Sequence, residues 1–338
     1  MKGKSALVVL LIGFLSFSAC DGQSKKHSMK NETNNNPLLC DPQTGVCEMP
    51  VNDSATQNYN TLKASEKTVK IIYYTDPICS SCWGIEPQLR KLKLEYGNEV
   101  DIEYRMGGLL PDWSYNSGGI SKPADVASHW DEVSLYYDMP IDGDVWLEDP
   151  LHSSYPPSIA FKAAQMQDNK KALLFLREIR EMVFLQKKNI TKWTYLEEAA
   201  KRVALDIVPF KADFEGKANL LFKEDLKLGR TMGVHGFPTM FFRNNDGKTE
   251  MVYGSRPYAA YENAILKLLP NAKKQMYDKS PEAIFLEYPT LTAKEFSELT
   301  ETSREEAEKT LDEMTADGTL EKYTTKNGAI WKLINTSN

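Results

Sequence analysis

The spacing of apolar residues changes along the chain, and each change marks an element. An unbroken apolar stretch runs from Ala6 to Phe17 behind Lys2 and Lys4, and polar sequence follows at once. It is shorter than the roughly 20 residues that cross a bilayer. Residues 21 to about 66 are rich in Ser, Asn, Lys, Asp and Thr without an apolar period, which predicts a flexible, solvated tether. Order begins at Val69, where Val69-Lys70-Ile71-Ile72-Tyr73-Tyr74-Thr75 has the β-branched and aromatic content of a strand. After Asp76-Pro77-Ile78 a helical stretch runs to about Tyr96, with Leu89, Leu92 and Tyr96 at helical spacing and Gly97 as its stop. Val100 to Met106 alternates as a second strand until Gly107-Gly108 breaks it. From about Lys122 to Gly229 the period is helical, with helices predicted over 157–167, 169–186, 194–204 and 214–228. Gly236-Phe237-Pro238-Thr239 then leads into a strand at Met240–Arg243, joined through Asn244-Asn245-Asp246-Gly247 to a return strand over Glu250–Gly254. A helix from about Tyr258 to Leu269 follows. Beyond Ser280 come three short helices (281–288, 293–300, 304–316) and a hairpin (319–323, 329–333).

Charge removes one class of function. The chain has 41 Lys and Arg against 47 Asp and Glu, a net charge of −6, and no long basic run. A nucleic-acid binder draws most of its affinity from clustered cations against phosphates, so none is expected here. With 338 residues there is room for one large domain and a smaller one. Phe17-Ser18-Ala19-Cys20 resembles the lipobox of bacterial lipoproteins, which implies a signal peptide over 1–20 and lipid attachment at Cys20; Phe17 stands where Leu is usual. An uncleaved N-terminal anchor is the other reading. Both place the remainder outside the cytoplasm, on the periplasmic side of a bacterial membrane, and make that membrane a partner through the N-terminal lipid.

Five cysteines are present: Cys20, Cys40, Cys47, Cys79 and Cys82. With Cys20 set aside, the other four fall into two close pairs, too local to staple so long a chain, which points to a redox purpose. Cys79-Ser80-Ser81-Cys82 follows a strand and opens a helix. That spacing puts Cys79 at the free N–H groups and positive end of the helix, which favour a thiolate, and Cys82 one turn deeper as the resolving thiol. Zinc sites share the Cys-x-x-Cys spacing, but four histidines, none near in sequence, supply no further ligands.

Pro87 lies inside the predicted helix, where proline costs about 3 kcal/mol. Phe237-Pro238 precedes a strand, the position of a cis-proline in thioredoxin-like proteins. Strand, Cys-x-x-Cys, kinked helix, strand, long helical insert and Gly-x-Pro-Thr together resemble the DsbA family over about residues 69–270. Asp76-Pro77-Ile78-Cys79-Ser80-Ser81-Cys82-Trp83-Gly84 and Met106-Gly107-Gly108-Leu109 are most similar to its FrnE/SpxH-like branch. The resemblance implies an α/β thioredoxin-like fold over 67–275 with a DsbA-type helical insertion at about 120–230. It also implies a nucleophilic Cys79, a resolving Cys82, and substrate contact at Phe237 and Pro238. Strongly oxidising members carry Pro-His between their cysteines; Ser80-Ser81 offers no imidazole, which implies a less extreme potential.

Several side chains admit two readings. Asp76 either takes a proton from Cys82 through water or forms an Asp-Pro turn. His235 either favours a thiolate by its charge or is a surface residue. Trp83 is placed as the wall of an apolar substrate groove, and Trp113 as the same or as packing. Cys40 and Cys47, with six residues between them, close a local disulfide, act as a second redox pair, or capture a soft metal such as copper. Residues 280–338 resemble a small α+β winged helix, whose would-be recognition helix is acidic (Glu305, Glu306, Glu308, Asp312, Glu313) and so suited to a protein contact. The expected function is an enzyme: thiol–disulfide exchange with exported cysteine-containing proteins, with a redox partner protein and no cofactor. The rival is an extracytoplasmic binding protein, either a protein adaptor or a metal carrier on the same fold.

Overall fold

The computed structural model describes residues 40–41, 44–48, 68–115 and 122–334. The predicted signal peptide, Cys20 and most of the tether lie outside them. Within the tether span two short strands are ordered, β1 (Cys40–Asp41) and β2 (Val46–Glu48). Polar composition predicted a solvated segment, yet Cys40, Val46 and Cys47 are buried.

Strand β3 (Val69–Thr75) is buried on both faces and therefore apolar almost throughout. Helix α1 (Ser80–Gly84) ends at Ile85 and α2 (Glu86–Tyr96) restarts with Pro87 in its first turn, where the missing N–H costs little. The predicted single helix is thus two. Strand β4 (Val100–Met106) pairs parallel with β3 at Val69↔Val100 through Thr75↔Met106.

The helical insert comprises α3 (Pro123–Tyr137), α4 (Val145–Glu148), α5 (Tyr155–Gln167), α6 (Asn169–Leu185), α7 (Trp193–Arg202), α8 (Ile207–Glu215) and α9 (Lys217–Thr231). The predicted helix over 214–228 straddles Gly216, where α8 ends and α9 begins. Asp168 caps α6 by accepting from the Lys170 and Lys171 N–H groups. Asp225 of α9, fully buried, ties the insert to the sheet: Lys162 Nζ lies 2.9 Å away, Arg105 Nη1 2.6 Å, and the Met106 N–H donates at 3.0 Å.

The chain returns through β5 (Gly236–Phe237), β6 (Thr239–Asn244) and β7 (Thr249–Tyr253) to α10 (Tyr258–Leu268). The main sheet has the order β4-β3-β6-β7, with β6 antiparallel to β3 and to β7. This is a thioredoxin-like sheet with a DsbA-type helical insertion.

The last unit runs α11 (Pro281–Glu287), β8 (Thr290–Thr292), α12 (Ala293–Thr300), α13 (Arg304–Ala316), β9 (Leu320–Thr325) and β10 (Gly328–Leu333), a winged-helix-like order. Capping boxes start α12 (Thr292 with Glu295) and α13 (Ser303 with Glu306). Its own core gathers Phe285, Phe296, Leu311 and Trp331. It docks on the main domain through Glu295, which is fully buried. Arg177 of α6 pairs with Glu295 at 2.7 Å and Arg90 of α2 at 3.3 Å. Among the described residues no helix is long and apolar enough to cross a membrane.

Breaking a buried ion pair leaves charges uncompensated. Glu295→Ala strands both guanidinium groups and is expected to cost about 3–5 kcal/mol of unfolding free energy. Urea denaturation followed by far-UV circular dichroism checks this; a loss within 0.5 kcal/mol, the roughly neutral range of surface changes, would contradict it.

Candidate functional site

Strand β3 ends at Thr75, and the turn after it delivers the dithiol. Asp76 is buried, and its carboxylate accepts from the Ile78 N–H at 3.0 Å, the Leu109 N–H at 2.8 Å and the Ser154 hydroxyl at 2.8 Å. Its bond to the Ile78 N–H forms the turn, and its bond to Leu109 joins the Gly107-Gly108-Leu109 loop to the active-site turn. Gly107 leaves room there for the Phe237 ring: a Cβ would lie 1.8 Å from Phe237 Cζ.

Cys79 caps α1, and the Cys82 N–H donates to its Sγ at 3.1 Å. Both cysteines are free and fully buried. Burial first, then the neighbouring Cys82, pushes the Cys79 thiol well above its ordinary value. Burial opposes ionisation of Cys82 too. The hydrogen bond from Cys79 and the charge of Arg180 outweigh it and leave Cys82 lowered. The site thus holds one negative charge readily, on the side of Arg180. Nothing in the sequence singles out Arg180, because it is one of four cations in an amphipathic helix with Lys170, Lys171 and Arg177. It is 1% exposed, and its guanidinium pairs with Glu86 at 2.5 Å and donates to Thr75 Oγ1 at 2.6 Å and to the Asp76 carbonyl at 3.3 Å.

The cysteine hairpin sits on this dithiol. Strands β1 and β2 pair at Cys40↔Cys47 and Asp41↔Val46, and Cys40 and Cys47 form a disulfide. Strand β2 also pairs antiparallel with β5, at Cys47↔Phe237 and Glu48↔Gly236. The Phe237–Pro238 peptide is cis. Cys47 Sγ lies 3.2 Å from Cys79 Sγ, and the Ser80 hydroxyl donates to Cys40 Sγ at 3.0 Å. The Cys40 N–H donates to His129 Nε2 at 3.0 Å. Burial holds His129 down at about 4, so it accepts as a neutral ring at neutral pH. The sulfurs of Cys40, Cys47 and Cys79 lie within 4.8 Å of one another. A soft metal could meet three thiolates there only once the disulfide had opened.

One expected position is corrected, and two fall to the second of the readings given for them. Trp83 does not wall a groove: it is fully buried, donates Nε1–H to the Pro140 carbonyl, stacks on Phe184 and carries the Arg177 guanidinium over its ring. Trp113 packs edge-on against Trp146. His235 is exposed, and the histidine that reaches the hairpin is His129, from the insert.

A dithiol at the start of a helix, a cis-proline strand beside it and a helical insert define a thioredoxin-type protein. The chain belongs to the thioredoxin family whose model, described as "Thioredoxin", matches residues 73–263. Similar curated proteins are the "ClpXP adapter protein SpxH" of Halalkalibacterium halodurans, 33% identical over 90% of this chain and 98% of the relative. The protein of the same name from Bacillus subtilis is 32% identical over 80% and 91%. Among solved structures, a Nitrosomonas europaea chain described as a "putative protein disulfide isomerase" superposes with a TM-score of 0.50 at 19% identity, over 60% of this chain and 97% of that one. That likeness speaks for the fold alone. The relatives overturn the expected exchange with exported cysteine-containing proteins. Proteins alike over nearly their whole length are named as ClpXP adapters, and the binding-protein rival is the better match.

Burial first raises Asp76 from 3.8 to about 6, despite its three donors. A carboxyl raised on folding contributes stability below pH 3.8 that is lost as pH climbs through about 6. Comparing wild type with Asp76→Asn by urea unfolding across that window, the wild type should lose about 3 kcal/mol more than the variant on the acidic-to-neutral side. Parallel curves would sink this assignment.

Proposed function

We propose that this chain is a protein adaptor. It grips an extended segment of a client protein along Gly236–Phe237 and presents that client to a second protein; the relatives' name, "ClpXP adapter protein", supports an adaptor role. The observation that carries this reading is the antiparallel pairing of β2 with β5, because it marks the edge beside Pro238 as one that takes an extended polypeptide through main-chain hydrogen bonds. The winged-helix-like unit, with exposed Glu305, Glu308 and Asp312 on α13, offers a separate face for the second protein.

Two experiments test the proposal. In cells lacking this chain, the half-lives of a subset of proteins in its own compartment should lengthen several-fold and recover when the chain is restored; pulse-chase proteomics reads this, and unchanged half-lives across the proteome would refute the adaptor. Lipid attachment at Cys20 belongs to the same proposal as its compartment. Labelled palmitate should enter the wild-type chain and not Cys20→Ser. Absence of label with Met1 retained would reject the lipid anchor in favour of an uncleaved N-terminus.

A further inference from the structure

The hairpin's disulfide lies where a redox partner of the dithiol would have to lie. Cys79 Sγ and Cys47 Sγ are 3.2 Å apart, within the roughly 3–3.5 Å of a near-attack arrangement. The other sulfur of the same disulfide, Cys40 Sγ, receives the Ser80 hydroxyl at 3.0 Å. That is the sulfur that leaves when Cys79 attacks Cys47, and a donor aimed at it stabilises the departing thiolate. The main chain sets the register. Cys47 stands opposite Phe237, and Gly236 admits the strand because a Cβ there would lie 2.7 Å from the Cys47 carbonyl oxygen and 2.5 Å from Val46 Cγ1. Behind the hairpin, the Ser255 N–H donates to the Gly45 carbonyl at 2.6 Å, and Arg256 Nη1 donates to the Thr44 carbonyl at 3.0 Å. A disulfide that merely closed a loop would need none of these contacts.

We propose that Cys40–Cys47 is a second redox centre, which exchanges its disulfide with the Cys79–Cys82 dithiol inside one chain. In the first step the Cys79 thiol gives up its proton, the Cys47–Cys79 bond forms and the Cys40–Cys47 bond breaks. Cys40 leaves with the electron pair and takes up a proton. In the second step Cys82 loses its proton and attacks Cys79, so that Cys79–Cys82 forms and Cys47 leaves with its electron pair and is protonated. Two electrons pass from the dithiol to the hairpin, two protons follow, and no outside oxidant or reductant is consumed. The exchange is internal and needs no exported substrate. It also stands apart from the adaptor reading, which concerns a second protein.

The test uses the whole chain with Cys82→Ser, which allows the first step and blocks the second. The oxidised variant is quenched in acid, its free thiols are alkylated, and its disulfides are mapped by mass spectrometry without reduction. A substantial fraction should carry Cys47–Cys79 with Cys40 alkylated, at the same fraction in dilute and in concentrated protein. Adding Ser80→Ala should slow its formation several-fold. Cys40–Cys47 alone with Cys79 alkylated, or Cys47–Cys79 bonds joining two chains, would overturn the proposal. Should Cys82→Ser fail to fold, Cys40→Ser with Cys82→Ala leaves Cys47 and Cys79 as the only cysteines of the site. Oxidation must then close that bond within single chains, and its failure to do so would overturn the proposal equally.

Discussion

Arg180 is the hinge pin of this molecule. It rises from α6 in the helical insert, is almost wholly out of water, and reaches Glu86 at the start of α2, the Thr75 hydroxyl at the end of β3 and the carbonyl of Asp76. A buried guanidinium is costly unless its charge is met, and here Glu86 meets it while Nη2 donates twice, leaving Nε alone without a partner. Meeting that demand fixes three elements around the dithiol: the strand that ends there, the helix that leaves there, and the insert that covers both. The same charge draws the negative state of the cysteine pair toward Cys82. Structural anchor and electrostatic setting are one residue.

Glu295 repeats this logic one layer out. Its two arginines come from α2 and α6, the two helices that Arg180 already joins, so the winged-helix-like unit is keyed to the frame that carries the dithiol. Lys326 adds pairs to Asp131 and Asp144, and Arg304 one to Asp138, at the exposed rim, where such pairs contribute little. The buried carboxylate, with few ways to be satisfied, sets the docking geometry.

Period and composition made the frame legible in the sequence. Strands β3 and β4 run over the residues predicted for them, because a doubly buried strand must be apolar and an edge strand must alternate. The Cys-x-x-Cys, Pro87 and Phe237-Pro238 were visible because their chemistry restricts the residue type. The rest escaped for identifiable reasons. Strands of two and three residues are too short to show a period, and β1 and β2 sit in polar sequence, so the hairpin looked like tether. Trp83 carries the same letters whether it lines a groove or fills a core, and only Phe184 and Arg177, about a hundred residues away, decide between them. His129 and Arg180 act through distant partners. Gly216 ends α8 and starts α9 inside what reads as one helical run.

A strand supplied by the chain itself is never diluted. While Val46–Glu48 lies on Gly236–Phe237, any other strand must displace a competitor whose local concentration is set by its attachment. Were the edge open in about one molecule in a hundred, a visiting strand would bind it about a hundredfold more weakly than its bare affinity. On the adaptor proposal, the edge would therefore behave as a threshold filter. Abundant weak binders are held off, and entry falls to partners that arrive with strong contacts elsewhere or are already tethered nearby.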